Sequence, residues 1–238
     1  MLAHFSGAEL IQLSLVSHRF YSLVCRLLQR RLLAVTSLPD NDLIFECFTP
    51  AAKLSTPYLN CQFVGTRIWS SSDSSALLFE DVEDAPLDLK RLGRMYSVFR
   101  PVASYESRRP RWQDDGPAET DDVPRELVDL DSDQLFEQLC AVTNVVKPGP
   151  RPGLFLSHVN ISDGVLRLWR NWLAGMADGF SELTQAGEGS KILWVNAGQT
   201  IGLRMHVTYG PADRMPVITG PDDHPPISYR LEYRGMFS

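Results

Sequence analysis

The residues with chemical potential are five histidines, four cysteines and several paired acids. His158 and His206 fall on stretches that alternate like strands, while Asp163, Asp222 and Asp223 sit among turn-forming residues. Imidazole and carboxylate ligands of that kind could hold a divalent metal. Metal binding needs ligands at close spacing, however, and these are scattered. Solvent-facing histidines on the polar face of a strand are the plainer reading, and no metal site is expected. The patterns GxSxG and HExxH and the phosphate-cradling Walker loop are all missing. Asp114-Asp115 and Asp121-Asp122 lie in a polar run where nothing would hold them in catalytic geometry. The expectation is no catalytic residue and no cofactor.

Recognition chemistry is better represented. The string SRRPRW (107–112) offers Arg109, Arg111 and Trp112, which could grip nucleic acid or an acidic peptide. The adjoining QDDGPAETDD would repel phosphate and can pair with those arginines instead, and the net charge of -6 supplies no basic excess. Nucleic acid is therefore not the expected partner. Trp69, Trp169, Trp172 and Trp194 could form a stacking platform for a sugar or a modified peptide. Trp194 sits within the apolar run ILWV and reads as core, which leaves Trp169 and Trp172 as the binding candidates. The cysteines, Cys25, Cys47, Cys61 and Cys140, are far apart and form no CxxC pair. They read as small buried hydrophobes of a reducing compartment. No stretch approaches the ~20 apolar residues of a membrane helix. MLAHFSGAEL lacks a basic region followed by an apolar one. Cytosol or nucleus is expected, with no membrane partner, and the sequon Asn160-Ile161-Ser162 would then be idle.

The elements that must position these groups follow from periodicity. At 238 residues and 44% hydrophobic content, the chain can bury a sizeable core without disulfides or metals. Residues 5–34 carry the helical period. Ser6 and Glu9 stand as a capping box, Phe5 and Leu10 as a hydrophobic staple. Ser17 caps a second helix with Phe20, Leu23 and Leu27 on one stripe. Beyond Leu38 the period becomes two. LIFECF (43–48), YLNCQFV (58–64), MYSVFRPV (95–102), IGLRMHVTY (201–209) and ISYRLEY (227–233) all read as strands, with LFLSHVNI (154–161) and KILWV (191–195) as further ones. Leu59, Cys61 and Phe63 are predicted to share one face. DSDQLFEQLCAVTNVV (131–146) predicts a helix capped by Asp131 or Ser132, with Leu135, Leu139 and Val142 buried. Residues 104–124 predict a mobile polar loop. The fold class expected is α+β, mainly β. A short helical hairpin (1–36) is packed on an antiparallel β-sandwich (37–238) that carries one inserted helix.

The opening string AELIQLSLVSHRFYSLV resembles the second half of an F-box, a leucine-rich helix followed by a Val-Ser-x-Arg-Phe turn into the next helix. Leu10, Leu13, Leu15, Val16, Arg19, Phe20 and Leu23 fall on those positions. Segments such as ISDGVLRLWRNWLA, IGLRMHVTYG and PPISYRLEY are similar to the β-rich region that follows the F-box in proteins of filamentous fungi. The resemblance implies a substrate receptor of an SCF-type ubiquitin ligase. Its adaptor-binding residues would be Phe5, Leu10, Leu13, Leu15, Val16 and Phe20. Its partners would be a Skp-type adaptor, through it a cullin, and an unknown protein client held on loops near 65–75, 104–124 and 210–226. The Leu-Pro-x-Glu first helix of the F-box is not seen before Met1. A late gene start or a degraded copy would each account for that, and either would weaken adaptor binding. Two other readings stay open: the helices pack on their own sheet, or the sandwich binds carbohydrate or a modified peptide without a ubiquitin role.

Overall fold

The computed structural model describes residues 4–54, 56–70, 78–81, 87–103, 123–151, 153–183, 192–211 and 225–238. It is α+β and mainly antiparallel sheet, as the period-two runs require. The ladders link β7-β6-β1-β2-β4-β10-β9-β8 in that order, with β3 beside β2 and β5 beside β10. These are β1 (Asp42–Phe48), β2 (Leu59–Ser70), β3 (Leu78–Asp81), β4 (Met95–Ala103), β5 (Arg125–Leu130), β6 (Phe136–Pro148), β7 (Phe155–Trp169), β8 (Ile192–Trp194), β9 (Gly202–Tyr209) and β10 (Ile227–Phe237). Compactness divides the chain into two units: Met1–Pro39 with Phe63–Val98, and Asp40–Gln62 with Phe99–Ser238.

In the first unit, α1 (Gly7–Leu13) begins at the predicted capping box. The Ser6 hydroxyl accepts from the Glu9 amide at 3.4 Å, and Glu9 Oε2 accepts from the Ser6 amide at 2.7 Å. Two of the helix's unpaired donors are thereby satisfied. Ser17 caps α2 (His18–Thr36) by accepting from the Phe20 amide. The inner face of α2 buries Val24, Cys25 and Gln29. Cys25 packs in a cluster with Ile68, Leu87 and Leu92, which Tyr21, Leu28, Leu89 and Met95 surround. Two polar pins fix this face. Gln29 Oε1 accepts from the Leu87 amide at 3.0 Å, and the Tyr21 hydroxyl accepts from the Leu89 amide at 3.3 Å. The amide of Leu87 thus keeps a partner inside the cluster, as a buried donor must. Asp88 caps the single turn α3 (Leu89–Leu92).

The second unit is a sheet whose inward residues form one long apolar layer. Ile201 just before β9, and Leu203, Met205 and Val207 on it, are buried; on β10, Tyr229, Leu231 and Tyr233 are buried. β9 keeps the predicted alternation as far as Val207, with Tyr209 exposed, whereas on β10 Ile227 is half-buried and Glu232, on the opposite face, is buried as well. Phe45 of β1 meets Tyr233 edge-on, with ring centroids 6.0 Å apart. Past β8, Val195 lies against the backbone of Gly164 in β7. A Cβ on Gly164 would come within 2.6 Å of Val195 Cγ1 and 2.8 Å of its carbonyl oxygen. The outermost strand of one end of the ladder path is thus covered on its inner face by the chain leaving the other end.

Three expectations are corrected. Residues 131–146 are not a helix: a turn at 131–134 leads into β6, which pairs with β1 on one side and β7 on the other. Val142, Thr143, Val145 and Val146 are β-branched and suit a pleated surface. Leu139, Ala141 and Thr143 point inward at period two, whereas Leu135 is exposed. The inserted helix is instead α4 (Arg170–Leu183), which follows β7 directly. Last, Phe63 does not share the buried face of Leu59 and Cys61; it is exposed, as is Val64.

Candidate functional site

Six residues were assigned to an adaptor face. Leu10 is 0% exposed and so contributes to packing within the protein, and Leu13 is half-buried. The others are on the surface. Leu15 is 86% and Val16 65% exposed, with Phe5 and Phe20 exposed to a lesser degree. The cause is local. α1 ends at Ser14, whose buried hydroxyl donates to the Ile11 carbonyl at 2.6 Å, and α2 does not start until Ser17. Leu15 and Val16 fill the connection, where no helical face turns them inward. Phe20 and Leu23 then continue the apolar surface along α2. With His18, Arg19, Ser22 and Arg26 they line an open groove. Ile11 is exposed as well and was missed, since its neighbours Leu10 and Leu13 dominate the helical stripe. Arg31 donates to the Phe5 carbonyl at 2.7 Å, holding the start of the hairpin against α2. The surface is apolar at its centre and cationic along one side.

Of the weaker candidates, Arg109, Arg111 and Trp112 lie outside the described residues, as do residues 104–122 of the loop predicted over 104–124. Trp169 ends β7 and is half-exposed, and Trp172 is half-buried in the first turn of α4. The register places Trp169 opposite Phe136, with ring centroids 5.0 Å apart, and the Arg167 guanidinium stands 5.7 Å from the Phe136 ring. Sequence reasoning missed Phe136 and Arg167 because a helix over 131–146 hides their cross-strand pairing.

The titratable groups of the sheet divide by face. Glu232 on β10 stands between Arg125 on β5 and His206 on β9, its direct cross-strand neighbours. Arg125 Nε donates at 3.0 Å, His206 Nδ1 lies at 3.2 Å, and Arg234 closes the cluster. Burial alone would raise the Glu232 carboxyl, but hydrogen bonds from His206 and Arg125, with the arginine charges, outweigh it and hold it below the usual range. On the opposite face the Tyr233 hydroxyl donates to Glu126 at 2.7 Å. Burial pushes the Glu126 carboxyl up, and the nearby charge of Glu137 adds to the shift. Burial likewise raises the Cys47 thiol, which sits beside Tyr233. A thiol whose anion is disfavoured is a poor nucleophile. His158, the other strand histidine, is exposed on β7. Among the described residues no helix is long and apolar enough to cross a membrane. Comparison with protein-family models, with curated proteins and with solved structures returns no match to this chain.

Proposed function

We propose that the chain is a non-catalytic protein-interaction protein whose N-terminal helices dock a Skp-type adaptor, and through it a cullin, in the cytosol or nucleus. The β-rich region would hold a protein client. One observation carries the reading: Leu15, Val16 and Phe20 face solvent in succession at the positions that resemble the F-box string. Burying a Leu, Val or Phe side chain contributes about 1.5–3 kcal/mol. Three such contacts offset part of the cost of association, the rest falling to other contacts of the adaptor. Leu10 lies outside the contact set and supports it from beneath.

The test is capture by an immobilised recombinant Skp-type adaptor. The full chain is expected to be retained, and Leu15→Glu combined with Phe20→Glu to lose at least tenfold in affinity, since Leu15 is 86% and Phe20 36% exposed and neither is a buried core residue. No retention, either by this chain or by one carrying an added Leu-Pro-x-Glu first helix, would remove the adaptor role.

A second reading rests on the half-exposed Trp169 stacked on Phe136 beside Arg167. That trio offers aromatic faces and one cation, the chemistry of a sugar or modified-peptide platform. A glycan array signal lost in Trp169→Ala would favour it over the adaptor role.

A further inference from the structure

Strand β7 is fifteen residues long and terminates the order of ladders; among the described residues only β6 pairs with it. Proteins blunt such edges with Pro, Lys, short strands or bulges. Residues 155–169, FLSHVNISDGVLRLW, contain neither Pro nor Lys. The strand's two irregularities are register shifts on the N-terminal side of Asp163: one around Ile161, between the pairs Thr143–Ser162 and Asn144–Asn160, and one around Leu156, between Lys147–Ser157 and Pro148–Phe155. Apolar side chains are instead displayed along the strand: Leu156, Val159, Ile161, Val165 and Trp169 are all exposed.

Two charges interrupt that apolar series, and their spacing selects an occupant. Asp163 and Arg167 are exposed on the same face of β7, on either side of Val165, which is 53% exposed. Four residues apart on a strand, they are separated by about 13 Å and cannot reach one another. Among the described residues neither makes an ion pair. In an antiparallel pairing of β7 with a second β7 about a two-fold axis at Val165, residue 163 of each copy stands opposite 167 of the other. Both charges then meet their complement at once, Val165 meets itself, and Ile161 comes level with Trp169. A slip of one residue in the pairing breaks both charge pairs and moves the exposed face to the wrong side. An isologous contact requires this self-complementarity.

We propose that β7 is a homodimerisation edge: two copies of this chain join β7 to β7, antiparallel, in the register that sets Asp163 against Arg167. The occupant is a second copy, because the charge order along the strand is its own antiparallel complement. The inference does not depend on the adaptor reading, which concerns the other compact unit.

Charge reversal tests it on the full chain by sedimentation velocity. The unaltered chain is expected to dimerise at concentrations up to about 100 μM. Asp163→Arg and Arg167→Asp should each weaken the dimer at least tenfold, since each places like charges opposite one another twice. The double substitution Asp163→Arg with Arg167→Asp should restore it to within about threefold of the original, a rescue that misfolding would not give. A second measurement uses Val165→Cys in a Cys140→Ala background, because Cys140 is the cross-strand neighbour of Val165 within one chain. Directly opposed antiparallel residues lie within disulfide range, so mild oxidation should yield a covalent dimer. A chain that stays monomeric throughout overturns the proposal. So does a dimer indifferent to both single reversals, or one that fails to cross-link through position 165.

Discussion

Glu126 and Glu232 occupy neighbouring strands, yet their surroundings give them opposite relations to pH. Glu232 is held by hydrogen bonds to its charged form, so its folded-state pKa lies below the unfolded value of about 4.5. The stability it supplies is present above that value and is lost as pH falls through the folded pKa. Glu126 is raised by burial, so the folded state prefers its proton, and stability falls as pH rises from about 4.5 toward the higher folded value. Glu126→Gln keeps an acceptor for the Tyr233 hydroxyl and removes a disfavoured charge. Glu232→Gln removes the charge that Arg125 and Arg234 pair with and that lies beside His206 Nδ1. At pH 7 denaturant unfolding should show the first variant equal to or more stable than the parent, and the second less stable by about 1–3 kcal/mol. Near pH 3 both differences should shrink. Similar losses in both variants at pH 7 would refute the contrast. Neither relation was legible in the sequence, since each depends on which residue stands across a ladder rather than along the chain.

At the scale of elements, legibility followed the number of signals that agreed. α1 and α2 carried both periodicity and caps, and both begin where Ser6 and Ser17 place them. β9 alternates because one face is buried, and β10 does so over Tyr229–Leu231 before Glu232 joins the buried residues. β6 misled because Leu135, Leu139 and Val142 mimic a helical stripe, while its true partners in β1 and β7 are distant in sequence. Long-range pairing decided against local spacing. The Asp163-Gly164 pair looks like a hairpin turn, yet it lies inside β7. Gly164 serves a close approach instead, leaving room for Val195. Gly164→Ala would push a methyl into Val195 Cγ1 and its carbonyl. It should cost about 1–3 kcal/mol despite the better strand propensity of alanine, read as a lower denaturant midpoint at unchanged slope. An unchanged midpoint would mean that Val195 moves aside freely. α4 was missed because the glycines at 175 and 179 weaken its helical signal. The surface at the α1–α2 junction was half legible: the residues could be named, but not which of them would turn inward, as Leu10 does.

For the whole molecule, the four thiols are unlinked, and their burial differs by place. Cys25 belongs to the helical cluster of the first unit. Cys47 and Cys61 lie in strands of the second, and Cys140 on β6 is half-buried. Each compact unit therefore contains its own natural stopwatch. Alkylating reagent should modify Cys140 first, because a thiol can react only when it reaches solvent. If the two units loosen independently, mass spectrometry will record separate half-times for Cys25 and for the Cys47 and Cys61 pair. One shared half-time for all three would mean that the chain opens as a single cooperative body. Without any added label, the protein thus announces which of its halves lets go.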